Sequence, residues 1–144
     1  MPNSGYAQVR RAFFDKSPAV RLLNRKTRRI LSRFGAYVRT SARTSMRPDP
    51  KGGQQSSAPG KPPQSRGKKL LRDLLFFSYD EKSKSTVVGP LRLGRTASEH
   101  VPRTLEKGGT IVRDGKPNRY KARPFMKPAF EKNVGWVAAE YAKP

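Results

Sequence analysis

The sequence predicts an α+β fold over residues 1–144, read as one domain: a long N-terminal helix and a C-terminal helix packed on a small antiparallel sheet of about four strands, with a long basic Pro/Gly/Ser loop. Three observations carry this. Apolar residues recur at steps of three and four from Val20 to Ala42, with no proline between Pro18 and Pro48. Two β-rich runs each bend around a polar turn, Asp80–Ser83 and Asp114-Gly115. Lys121–Phe130 reads as a strand end, a forced turn and a helix start, because Pro124 and Pro128 fix φ near −65° and push the residue before them out of the helical region.

Residues 1–16 form a short lead in which Tyr6, Val9, Phe13 and Phe14 are apolar enough to dock. Ser17-Pro18 is a helix start: the serine accepts first-turn N–H groups and proline fits the first helical position. The expected long basic helix covers residues 17–46, roughly 45 Å at 1.5 Å per residue. One face carries Val20, Leu23, Thr27, Ile30, Leu31, Phe34, Val38 and Ala42. The other carries Arg21, Arg25, Arg28, Arg29, Arg33, Arg39 and Arg43, a face suited to DNA or to an acidic subunit, because guanidinium forks pair with phosphate or carboxylate. Residues 47–69 are an extended linker whose Pro, Gly, Ser, Gln and Lys cannot bury enough surface to offset the entropy of ordering.

Residues 70–144 are the β-rich part plus the C-terminal helix. Leu70–Tyr79 reads as a strand, although Leu70–Leu75 fits a helical turn equally well. Thr86–Gly89 returns and continues past Pro90 to Leu93, with Pro90 at an edge or bulge. A brief helix spans Ala97–Lys107, with Pro102 inside it and Gly108-Gly109 as its stop. Thr110–Arg113 and Arg119–Ala122 form a second hairpin. The final helix runs from Pro128 to Tyr141 with an apolar stripe of Phe130, Val134, Val137, Ala138 and Tyr141; Trp136 lies off it, at the rim or at a subunit contact.

Composition narrows the function. The net charge is +22, with 32 Lys/Arg against 10 acids, and it is uneven: +15 over residues 1–69 and +7 over residues 70–144. Such a chain suits a polyanion or an acidic partner. No cysteine is present, and the one histidine, His100, has no partner at metal or triad spacing. Glu99, Glu106 and Glu131 are scattered, so no catalytic constellation, no metal site and no cofactor site assembles, and a non-enzymatic protein is expected. No apolar run approaches the roughly 20 residues of a membrane span and no signal peptide is recognisable, so a soluble protein acting away from membranes is expected.

Four short motifs then fall in one order: Ser57-Ala58-Pro59-Gly60-Lys61-Pro62-Pro63, Val88-Gly89-Pro90, Leu105-Glu106-Lys107-Gly108-Gly109 and Ala122-Arg123-Pro124-Phe125-Met126-Lys127-Pro128-Ala129. Together they resemble the pattern of tailed-bacteriophage neck or tail-completion proteins, the group that includes the minor tail protein Z type. The sequence departs from that pattern at Gln64-Ser65-Arg66-Gly67 and at Phe130. The resemblance implies a structural virion protein at the head–tail junction. It would form a homo-oligomeric ring, six-fold in expectation, around the DNA channel, made in the host cytoplasm. Its neighbours would be head-connector and tail-terminator or tail-tube proteins, with packaged DNA touched through non-specific backbone contacts. It also implies structural roles for Ala58, Pro59, Gly60, Pro62, Pro63, Gly89, Pro90, Glu106, Gly108, Gly109, Arg123, Pro124, Phe125, Met126 and Pro128. The alternative that composition leaves is a basic nucleic-acid-binding protein of ribosomal or nucleoid type.

Overall fold

A computed structural model describes residues 17–46, 57–64, 71–91 and 101–144. The predicted lead, most of the linker, the run from Arg92 to Leu93 and the first residues of the brief helix (with Glu99 and His100) lie outside the described residues. Within them, the elements are helix α1 (Ser17–Ser45), a 3₁₀ turn (Leu71–Leu74), strands β1 (Leu75–Asp80) and β2 (Ser85–Pro90), helix α2 (Val101–Lys107), strands β3 (Gly109–Arg113) and β4 (Lys116–Tyr120), and helix α3 (Met126–Ala142). The class is α+β. None of these helices is long and apolar enough to cross a membrane.

The core sits where α1 and α3 meet the start of β1. Phe34, Val38 and Ala42 of the α1 stripe, with Met46 just past the helix end, pack with Leu75, Phe125 and Ala129, while Leu71, Val88, Leu105, Met126, Trp136 and Val137 flank them. Burying side chains of this size stabilises by about 1.5–3 kcal/mol each. The stripe is covered only from Ile30 onward. Val20 and Leu23 belong to it by spacing, yet they are 50% and 58% exposed. Gly35 lets α1 lie close on the first hairpin, since a Cβ there would stand 2.6 Å from Thr86 Cγ2 and 2.8 Å from Phe77 Cδ2. Thr86 Oγ1 donates to the Leu31 carbonyl at 2.9 Å, which fixes that approach.

The strands correct one expectation. All four are present, but among the described residues they form two separate two-stranded antiparallel sheets, β1–β2 and β3–β4, where a single sheet was expected. Register disfavours a junction through the outer edges of β2 and β4. Leu91 N–H donates to the Leu74 carbonyl, so hydrogen-bonded pairs alternate along β1–β2 and the Leu75–Pro90 pair is a non-bonded one, with the Pro90 nitrogen facing outward. In the second hairpin Asp114 (φ +53) and Gly115 (φ +73) form a two-residue turn with both φ positive. Its closing pair, Arg113–Lys116, is hydrogen-bonded, so Val112–Pro117 is not, and the Pro117 nitrogen also faces outward. Neither β2 nor β4 can extend a sheet through a position with no donor.

Boundaries moved in several places: β4 spans Lys116–Tyr120, pairing back from the Asp114-Gly115 turn, where Arg119–Ala122 was expected. Leu71–Leu74 takes the helical-turn alternative, so β1 starts at Leu75. Strand β2 ends at Pro90. Helix α3 starts two residues before Pro128, and its buried face differs from the predicted one: Ala129 is buried, Phe130 and Val134 are 48% and 43% exposed. Trp136 is half-buried and meets Tyr37 of α1 edge-on, with ring centroids 4.9 Å apart.

Candidate functional site

Helix α3 brings no capping side chain of its own. Its ends are finished by other elements. At the N-terminus Glu106, in the last turn of α2, accepts three backbone N–H groups: Phe125 at 3.0 Å and Met126 at 3.1 Å on Oε2, and Lys127 at 2.7 Å on Oε1. A helix leaves four N–H groups without intrahelical partners, and the fourth position here is Pro128, which has none. Glu106 and Pro128 together account for the whole first turn, and the carboxylate sits at the positive end of the helix dipole. At the other end Lys26 of α1 donates Nζ to the carbonyls of Tyr141, at 3.3 Å, and Lys143. A cation there completes the dipole match.

The motif residues gather at this junction. Gly108 (φ +74) ends α2, and a Cβ on it would stand 3.1 Å from the Tyr120 oxygen and the Ala122 nitrogen, so glycine serves both the turn and the close pass of the following strand. Arg123 N–H donates to the Leu105 carbonyl at 2.6 Å. Arg123 Nε donates to the Ser57 carbonyl at 2.8 Å, and Gly60 N–H to the Ala122 carbonyl at 2.9 Å. Ala58-Pro59-Gly60-Lys61 closes a turn through Lys61 N–H and the Ala58 carbonyl at 3.1 Å, with Gly60 at φ +83. Pro62 and Pro63 follow it, partly buried. Phe125 is 1% exposed and plugs the junction into the core. Gly89 and Pro90 stand apart from this knot, opposite Phe76 and Leu75 in the first hairpin.

The seven arginines separate into two groups. Arg21, Arg25, Arg28, Arg29 and Arg33 are exposed along the first half of α1. Arg21 Nε reaches the Ser17 carbonyl one turn back at 3.2 Å, and Arg28 faces Glu81 at 3.6 Å in a solvent-exposed pair. Arg25, Arg29 and Arg33 form no hydrogen bond or ion pair among the described residues, and their spacing of four places them in one row. Arg39 and Arg43 turn toward the body instead. Arg39 Nε donates to the Leu75 carbonyl at 2.6 Å, and its guanidinium lies 5.6 Å from the Phe76 ring centroid. Arg43 Nη2 meets Asp73 Oδ1 at 3.2 Å, and Arg72 Nε stands 3.7 Å from the same oxygen. Sequence spacing missed Arg72 and Asp73 because nothing local ties the 3₁₀ turn to the end of α1.

The carboxylate of Asp80 has its pKa lowered by the Ser83 hydroxyl, at 2.6 Å, and by Lys82 N–H, at 2.9 Å. Among the described residues no group of three His, Cys, Asp or Glu side chains is placed to hold a metal ion. Comparisons with protein-family models, with curated proteins and with solved structures give no match.

Proposed function

We propose that this chain is a non-enzymatic structural protein of the tailed-phage neck, closing into a ring at the head–tail junction around the DNA channel. One observation carries the reading. Three of the four motif segments behind the family resemblance meet at a single junction, through Glu106, Arg123 and Gly60, so they act as one structural unit. Supporting it, the first half of α1 leaves Val20 and Leu23 uncovered, apolar area for a neighbouring copy to bury. In this reading the copies meet head to tail in a six-fold ring. The head connector and a tail-terminator or tail-tube protein lie on either side, and the Arg25–Arg29–Arg33 row faces DNA phosphates.

Mass and symmetry test it. Native mass spectrometry of the purified chain and class-averaged electron microscopy of particles are expected to give a closed ring and density at the neck that disappears with the gene. The second reading, a general nucleic-acid binder, draws on the same unpaired arginine row. A monomer that coats any nucleic acid and is missing from virions is its signature.

A further inference from the structure

At the C-terminal end of α1, Arg39, Thr40, Arg43, Thr44 and Arg72 line a hollow of about 210 Å³. Three arginines line it, and Asp73 is the one carboxylate among the described residues that pairs with any of them, through Arg43 and Arg72. The remaining excess of positive charge is partly shielded from water, since the Arg43 and Arg72 side chains are 35% and 29% exposed. Like charges held together and half-desolvated repel more strongly than they do in open solvent, so such a cluster is stable chiefly when an anion completes it.

The three are also held in place before any ligand arrives. Arg39 is fixed by the Leu75 carbonyl and the Phe76 ring. Arg43 and Arg72 are fixed by one oxygen of Asp73. Each guanidinium offers five N–H donors and uses only part of that set in these bonds. Thr40 and Thr44 line the same hollow and add hydroxyl donors. A planar carboxylate fills one guanidinium fork, whereas a tetrahedral phosphoryl group presents oxygens to several donors at once.

We propose that this hollow is a binding site for a phosphoryl oxyanion, held by Arg39, Arg43 and Arg72 with the two threonine hydroxyls. The site differs from the exposed Arg25–Arg29–Arg33 row and does not rest on the neck reading. The phosphoryl group can come from a nucleic-acid backbone or from free phosphate.

The test uses the full chain. Inorganic phosphate is titrated at constant ionic strength, with sodium chloride as the control salt, while arginine Nε–H signals are followed by NMR; a short single-stranded oligonucleotide is titrated in parallel. Phosphate is expected to shift Arg39, Arg43 and Arg72 selectively. Arg72→Gln is expected to weaken phosphate binding about tenfold, the loss of one charge-assisted contact. Thr44→Val, an exposed change that spares the fold, is expected to weaken it to a lesser degree. Converting Arg25, Arg29 and Arg33 to Gln should leave the phosphate-induced shifts of Arg39, Arg43 and Arg72 in place. Oligonucleotide binding that falls with Arg72→Gln identifies the source as a nucleic-acid backbone; a response to phosphate alone identifies a free anion. Equal shifts with chloride, or phosphate binding untouched by both Arg72→Gln and Thr44→Val, would overturn the site, and a ring in the neck would still stand or fall on its own test.

Discussion

Glu106 does for α3 what a serine or aspartate at the helix start usually does, from nineteen to twenty-one residues upstream of the groups it satisfies. Removing it leaves three N–H donors unmatched, two of them in part-buried bonds, so Glu106→Ala is expected to cost about 2–4 kcal/mol, read as a fall in the urea midpoint at unchanged slope. Glu106→Gln, which keeps one acceptor oxygen, is expected to lose less. Gly35 opposes two effects. Alanine is the better helix former by about 1 kcal/mol. Its Cβ, however, would meet Thr86, whose hydroxyl is already committed to Leu31, and overpacking of this kind costs about 1–3 kcal/mol. Gly35→Ala is therefore expected to destabilise, and Thr86→Ser to rescue it only in part, because it removes the clashing methyl while the 2.8 Å approach to Phe77 Cδ2 remains. In the sequence Glu106 is one scattered acid. The motif marked it, but no local pattern names a partner that distant.

At the scale of elements, the α1 stripe was fully legible, because spacing reports a face directly. How far that face is covered was not, because cover depends on where α3 ends: Lys26 holds that end, and Val20 and Leu23 in the turns before it are exposed. Val20→Glu with Leu23→Glu is expected to leave the urea midpoint of the single chain unchanged and to reduce the assembled fraction in native mass spectra. The hairpins were legible from Asp114-Gly115 and Asp80–Ser83, while their separation into two sheets was not, because no local pattern reports which strands from different hairpins pair. The β1–β2 turn should also respond to acid. The Asp80 pKa is lowered on folding, so its contribution is complete above the unfolded value near 3.8 and is lost as pH falls through the lower folded value. Amide exchange at Lys82 is expected to accelerate below about pH 4, relative to a neighbouring hairpin amide, and Asp80→Asn should abolish that pH dependence.

For the whole molecule, a charge of +22 makes association with polyanions salt-sensitive by default. The two arginine groups make different predictions about that sensitivity. The Arg25–Arg29–Arg33 row is exposed and unpaired among the described residues, so its conversion to glutamine is expected to lower the slope of log affinity against log salt by up to about three, one per lost phosphate contact. In the neck reading the charge-reversed Arg25, Arg29 and Arg33 to Glu variant should still form rings while DNA retention or passage fails; normal infectivity would remove the DNA-facing role. Composition announced the charge, and helical spacing announced the row. The division of labour between the row and the Asp73-anchored group appeared only when β1 and the 3₁₀ turn were seen against the end of α1.

The placement of Pro90 and Pro117 has one more consequence. Each two-stranded ribbon has one outer side lacking a donor, on β2 or β4, and one side, on β1 or β3, whose outward groups have no backbone partner among the described residues. On β1 the outward Leu75 carbonyl already accepts from Arg39 Nε, so β3 is the side left for a strand from another molecule. If two such ribbons join through that side, both outer strands of the product carry the proline. A proline on an outer strand thus removes one donor from the edge that crowded copies would present to one another, which disfavours further strand addition there.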